Sequence, residues 1–121
     1  MKCLLDTHLL IWWSENNPRL NKDTKALISN PNNDIYVSIA SAWEMGIKLA
    51  LKKLRLKVPL TKLFSLPRID TLPIKMEHVM SLQGLPPIHK DPFDRMLVAQ
   101  AKSEKLTLLS EDPKIKQYES K

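Results

Sequence analysis

Short apolar runs alternating with helical patterns predict an α/β fold built on a parallel sheet. Three observations carry that prediction. Lys2-Cys3-Leu4-Leu5, Ile35-Tyr36-Val37 and Leu106-Thr107-Leu108-Leu109 read as short strands, each separated from the next by helical segments. Strands spaced in this way pair in parallel through right-handed crossovers. Two of them hand over directly to acids, Asp6 after the first and Ser110-Glu111-Asp112 after the last. Finally, one helix opens with strong start signals: Asp91 stands where an N-cap belongs, Pro92 at the first helical position, and Asp94 within the first turn.

In chain order, Lys2 to Leu5 has the unbroken apolar character of a strand buried on both faces. Thr7 to Glu15 carries Leu9, Leu10, Trp12 and Trp13 in a helical pattern, which Asn16-Asn17-Pro18 breaks. His8 belongs to the turn before it and packs locally. Leu20 to Ile28 is a second amphipathic segment, closed by Ser29-Asn30-Pro31-Asn32-Asn33. After the second strand and Ser38, a helix is predicted from about Ile39 to Lys53. Its residues Ile39, Trp43, Ile47, Ala50 and Leu51 fall on one face, which makes Trp43 a core residue. Glu44 lies off that face, and three roles are open to it: capping-box partner of Ser41, salt bridge to Lys48 one turn on, or metal ligand.

Pro59 to Leu66 reads as a short helix stopped by Pro67, and Asp70 to Ile74 as an edge strand, because Pro73 has no amide donor. Lys75 to Leu82 is helical and ends at Gly84. Leu85-Pro86-Pro87-Ile88 is a stiff lead into the helix that opens at Asp91. From Met96 to Ala101 that helix is nearly all apolar, so it is buried on most sides.

The 121 residues, 43% hydrophobic and 26% charged, suit one globular domain over 1–121 with a proper core. A net charge of +6 points to a polyanionic partner, with nucleic acid the first candidate. The run Lys52-Lys53, Arg55, Lys57 is either a solvated edge or a lining for a phosphate backbone. Cys3, the only cysteine, rules out an intrachain disulfide and fits a reducing compartment. The apolar start is cut by Asp6, Thr7 and His8, so no signal peptide is read there, and no run approaches the ~20 apolar residues of a membrane span. The expected address is the cytoplasm, with no membrane partner.

In parallel sheets, ligands sit beyond the carboxyl ends of strands. Asp6 and Asp112 are expected to meet at that edge, and Asp94 joins them if its helix starts there; Ser38 and Glu44 follow the exit of the second strand. Such carboxylates cannot all remain ionised and unpaired near neutral pH. A hard divalent cation resolves the repulsion, and oxygen ligands favour Mg2+ or Mn2+ over zinc. A cation on an acid cluster in a basic protein positions water and stabilises charge on a phosphodiester, so the chemistry points to metal-dependent phosphodiester hydrolysis. The competing explanation for Asp91 and Asp94 is capping plus the helix dipole, about 1 kcal/mol each.

The same residues resemble the PIN-domain family, specifically the VapC-type ribonuclease toxins of VapBC toxin–antitoxin pairs. The matching segments are Leu4-Leu5-Asp6-Thr7-His8 with Trp12, Ser38-Ile39-Ala40-Ser41-Ala42-Trp43-Glu44 with Lys48, His89-Lys90-Asp91-Pro92-Phe93-Asp94-Arg95 through Gln100-Ala101, and Ser110-Glu111-Asp112 with Tyr118. They span nearly the whole chain in the family's order. The resemblance implies a PIN-like three-layer α/β/α fold with a short parallel sheet flanked by helices. It implies a Mg2+- or Mn2+-dependent endoribonuclease acting on RNA, a small cognate antitoxin that blocks the site, and often a toxin homodimer.

Carried over by position, Asp6, Glu44 and Asp94 are the core catalytic and metal-binding acids, and Asp112 is the fourth, more variable one. Ser38, Asp91 and Ser110 support them, with Asp94 the ligand and Asp91 mainly a helix cap. Ser110 stands where the family usually has threonine, a glycine common after the third helix is replaced around Lys52, and the usual final strand after the Tyr118 region is missing or very short. Leu9, Trp12 and Trp13, with the third helix, are expected to form an apolar groove for an antitoxin segment. The alternative reading is a catalytically inactive PIN-like module that binds RNA or protein. A decayed site would have lost an acid, and none is lost.

Overall fold

The computed structural model describes residues 1–118. Its elements run β1 (Lys2–Leu5), α1 (Thr7–Ser14), α2 (Lys22–Ser29), β2 (Asp34–Ser38), α3 (Ile39–Ala50), α4 (Leu60–Leu63), β3 (Ile69–Leu72), α5 (Met76–Gln83), α6 (Pro92–Glu104), β4 (Thr107–Leu109) and α7 (Pro113–Gln117). The four strands lie in the order β3-β2-β1-β4, all parallel, with Cys3 opposite both Ile35 and Thr107, and Ile35 opposite Ile69. The family's final strand would fall after Tyr118, outside the described residues. No helix among the described residues is long and apolar enough to cross a membrane.

Alternation along the strands feeds two cores. Cys3, Leu5, Ile35, Val37 and Ile69 point to one side, where Leu9, Leu10, Ile28, Met45 and Leu63 cover them. Leu4, Leu72 and Leu108 point to the other, against Leu97, Val98, Ala101, Ile115 and Tyr118. Both faces are therefore covered and the architecture is a three-layer α/β/α sandwich, the arrangement that lets every side chain of a strand be apolar. Chain order matters as well. From β1 the chain proceeds outward through β2 to β3, then returns to place β4 on β1's other side. The carboxyl ends of β1 and β4 thus flank a topological switch point, where such sheets leave a crevice.

The element opening at Asp91 forms as predicted. The Asp91 carboxylate accepts from the N–H groups of Phe93 and Asp94, Pro92 takes the first turn, and Leu97 to Ala101 are all buried. The predicted edge strand is β3, which lies at the sheet's margin with Pro73 just beyond it. α5 ends on Gly84, as expected.

Helix α3 departs from expectation. Its buried residues are Ala40, Ser41, Glu44 and Met45, whereas Ile39, Ile47 and Leu51 are exposed and Trp43 is 61% exposed. Ala50 is exposed too. The apolar stripe taken for the core side therefore faces outward. The reason is the direct junction with β2: Ser38 ends the strand and caps the helix in one residue, its hydroxyl accepting from Ala40 N–H. α3 then crosses close to α6 and α4, where small residues and Met45 fit. Trp43 packs edge-on against Phe93, with ring centroids 5.1 Å apart. The helix also stops before the predicted Lys53. Lys52 turns left-handed with φ 58°, and Lys53 N–H bonds back to the Lys48 carbonyl at 2.8 Å. A left-handed residue after a helix favours glycine, which is the residue the family pattern has and this chain lacks. On α1, Leu9 is a core residue, and Trp12 and Trp13 are partly buried against the same core.

Candidate active site

Asp6 leaves β1 at the switch point and caps α1. Its Oδ1 accepts from His8 N–H at 2.7 Å and its Oδ2 from the Ser110 hydroxyl at 2.6 Å. Ser110 also accepts from Asp112 N–H at 3.0 Å, so one hydroxyl ties together the two strand-exit acids. Asp112 caps α7, with Oδ1 accepting from Lys114 N–H at 2.8 Å. Its Oδ2 lies 3.1 Å from His89 Nε2. Asp94, in the first turn of α6, places its Oδ2 2.9 Å from the same nitrogen.

Glu44 enters from α3. Its Oε1 accepts from Thr7 Oγ1 at 2.9 Å and its Oε2 from Lys48 Nζ at 2.8 Å. Of the two local roles open to Glu44, the salt bridge to Lys48 forms and the capping box does not. Ser38 is the cap, and the Ser41 hydroxyl lies 2.8 Å from that of Thr7. Asp6, Glu44, Asp91, Asp94, Glu111 and Asp112 line one cavity of about 480 Å³, together with His8, Arg19 and Lys48.

Two groups that the sequence offered as candidates lie elsewhere. Ser38 is fully buried; besides capping α3, it donates to Gln100 Oε1, so any support it gives the site passes through the helix that carries Glu44. Lys52, Lys53, Arg55 and Lys57 are exposed and do not line the cavity; Arg19 and Lys48 are the long cations that do. His89, which opens one of the matching segments but carries no assigned role there, also belongs to the site. The available signal was its place two residues before an N-cap, which sets it against the same crevice as the helix's first turn.

The electrostatics follow from the crowding. The Asp94 carboxyl is pushed up to about 7, by burial first, then by the neighbouring charges of Asp91 and Asp6 and, more weakly, Glu44. Hydrogen bonding to Glu44 raises the Lys48 ammonium. Burial pushes the Asp112 carboxyl up, but the Lys114 amide and His89 outweigh it and hold the group below its usual range. Asp6, Glu44, Asp94 and Asp112 supply oxygen donors from separate segments of the chain, a set suited to a hard divalent cation. Among the described residues, the ligand atoms of His89, Asp94 and Asp112 lie within 4.8 Å of one another. Three of the six acids, Asp6, Asp91 and Asp112, are also helix N-caps. Capping therefore does not by itself disqualify an acid here. Asp6 and Asp112 cap through one oxygen and turn the other toward a neighbour in the site.

The PIN domain family model matches residues 3–121. Among solved structures, the chain is similar to VapBC2 from Rickettsia felis bound to a DNA fragment from its promoter, with 18% identity, 98% of this chain and 93% of that chain covered, and a TM-score of 0.67. It is likewise similar to VapBC-1 from nontypeable Haemophilus influenzae, with 20% identity, 99% and 93% coverage, and a TM-score of 0.67. No functionally curated protein sequence matches the chain significantly.

Proposed function

Because this chain belongs to the PIN domain family, we propose that it is a metal-dependent endoribonuclease and the toxin half of a toxin–antitoxin pair. The observation that carries this reading is the convergence of Asp6, Glu44, Asp94 and Asp112, from four separate segments, on one cavity at the switch point of a parallel sheet. These four acids would hold Mg2+ or Mn2+. The bound cation would polarise a phosphodiester and lower the pKa of an attacking water. The chain's own groups prepare the site. Thr7 and Lys48 each occupy one oxygen of Glu44 and fix its direction, Ser110 fixes Asp6 against Asp112, and Arg19 and Lys48 offer positive charge to an RNA backbone at the rim.

A protein partner is supported by the exposed stripe Ile39, Trp43, Ile47 and Leu51 on α3 and by exposed Met76, Val79 and Met80 on α5. The similarity to VapBC proteins supports a small antitoxin as that partner. A homodimer is our further proposal for the free toxin. We place the reaction in the cytoplasm. The test is incubation of the purified protein with RNA, with and without Mg2+. Cleavage that needs the metal and disappears in Asp6→Asn is the expected result. Metal-independent cleavage, or cleavage retained by a folded Asp6→Asn protein, rejects the reading. Asparagine can keep the cap to His8 N–H, so the variant should fold.

A further inference from the structure

We propose that His89 is a positioning residue, an Nε2–H donor that ties Asp94 to Asp112, and that it is not itself a metal ligand. The proposal rests on the reading of these acids as a metal site. The compact group of His89, Asp94 and Asp112 invites the opposite assignment, since three potential ligand atoms lie within 4.8 Å of one another. The hydrogen bond on the far side of the ring decides between them. His89 Nδ1 accepts from the backbone N–H of Asp91 at 3.2 Å. A ring nitrogen that accepts carries no proton, so in the neutral imidazole the proton sits on Nε2.

Nε2 is the atom facing the acids, 2.9 Å from Asp94 Oδ2 and 3.1 Å from Asp112 Oδ2. Its N–H therefore lies between two carboxylate oxygens as a shared donor. For Nε2 to bind a metal, the proton would have to move to Nδ1. It would then face the Asp91 N–H, donor against donor, and that amide at the helix entrance would lose its acceptor. The side chain is 13% exposed, so water competes little for Nε2.

The segment holding the ring is itself fixed. His89 N–H donates to the Tyr118 hydroxyl at 3.0 Å, and the His89 carbonyl accepts from Arg95 Nη1 at 3.3 Å. Arg95 Nη1 and the Tyr118 hydroxyl lie 3.2 Å apart, which joins the two supports. The ring is thus held by backbone, side chain and tautomer together. The carboxylates it bridges come from different elements, the first turn of α6 and the cap of α7. A donor shared between them sets their spacing before a cation arrives, the task outer residues perform around metal sites.

The test combines nitrogen–proton correlation NMR of histidine-labelled protein with Mg2+ titration. In the wild type, His89 should show the Nε2–H tautomer both without metal and at saturating Mg2+. His89→Ala should weaken Mg2+ binding by about 10- to 100-fold, and His89→Gln, which keeps a side-chain N–H donor, should recover most of that loss. Thermal melts identify variants that fold. If His89→Ala does not fold, the tautomer spectra and His89→Gln still decide. A proton on Nδ1, or a proton lost from Nε2 on adding Mg2+, overturns the proposal in favour of a ligand role. Unchanged Mg2+ affinity in a folded His89→Ala protein overturns it by removing the positioning role. Failure of the wild type to bind Mg2+ or Mn2+ at all would instead overturn the metal-site reading beneath it.

Discussion

Helix α6 serves two polar clusters, and each contains a histidine set in the same way. Near the start of the helix, His89 takes an Asp91 amide on Nδ1 and presents Nε2 to two carboxylates, Asp94 and Asp112. Farther along, His78 of α5 takes the Lys75 amide on Nδ1 at 3.0 Å and presents Nε2 to one carboxylate, Glu104, at 2.7 Å. The second cluster is closed. Gln100 Nε2 lies 3.2 Å from the Pro73 carbonyl and 3.3 Å from His78 Nδ1, its Oε1 accepts from Ser38, and Ser38 accepts from Ala40 N–H. His78, Gln100 and Ser38 are fully buried. The first cluster is open. Six carboxylates line its cavity beside only a few cationic side chains. One network has donors matched to acceptors and fixes the fold; the other holds a surplus of like charge that a cation would relieve. The two differ in sign as well. Asp94 is pushed up to about 7 by burial and its acidic neighbours, whereas the hydrogen bond from His78 holds Glu104 below its usual range.

The largest expected effect separates function from stability. Asp94→Asn should lower metal-dependent RNA cleavage on the order of a thousand-fold, about 4 kcal/mol of barrier, without unfolding the protein. Cleavage within tenfold of wild type would show that the open cluster is not the reactive one.

The closed cluster should behave in the reverse way. Gln100→Leu leaves the buried Ser38 hydroxyl without its acceptor and the Pro73 carbonyl without its side-chain donor, and should cost about 3 kcal/mol in urea unfolding at pH 7. A cost below about 1 kcal/mol would mean that the network is not holding α3, α5 and α6 together.

The pH dependence sharpens the contrast. A carboxyl whose folded pKa is raised contributes stability that is present below its unfolded pKa and lost as pH rises through the folded one. Without metal, the wild type should therefore lose on the order of 1–3 kcal/mol between about pH 4 and pH 8 through Asp94. The loss should be absent in Asp94→Asn and reduced by Mg2+. Glu104, with its pKa lowered, contributes stability above its unfolded pKa that is lost on acidification through the folded one, so Glu104→Gln should flatten the acid side of the same curve. Melting curves of the three proteins across pH check both signs; a metal-free wild type that gains stability from pH 5 to 8 would contradict the first.

The smallest effect concerns the one acid assigned to structure. Asp91→Ala should cost roughly 1 kcal/mol, while Asp91→Asn should stay within ~0.5 kcal/mol and keep most of the activity, because asparagine caps about as well as aspartate. An inactive Asp91→Asn protein would move Asp91 into the ligand set, which is a live comparison because Asp6 and Asp112 combine capping with a place in the site.

Much of this was legible before the fold was known, because the signals are local. Asp91-Pro92 sets a helix start through bonds spanning two or three residues, and Leu97 to Ala101 announces a buried helix by composition alone. Alternating strands and helices require a parallel sheet, and a parallel sheet brings the strand-exit acids Asp6 and Asp112 to one edge. Three things were decided only by tertiary structure. Periodicity marks the stripe Ile39, Trp43, Ile47 and Leu51 on α3 but not which side of the helix meets the core, and the junction at Ser38 turned Glu44 inward and Trp43 outward. Ser38, next to the acids in sequence logic, was drawn instead to Gln100, 62 residues away. His89 joined Asp94 and Asp112 because Tyr118 and Arg95 hold its loop beside those two acids. Caps and periods are written within a few residues, whereas the facing of a helix and the partner of a buried hydroxyl depend on which distant surfaces the chain brings together.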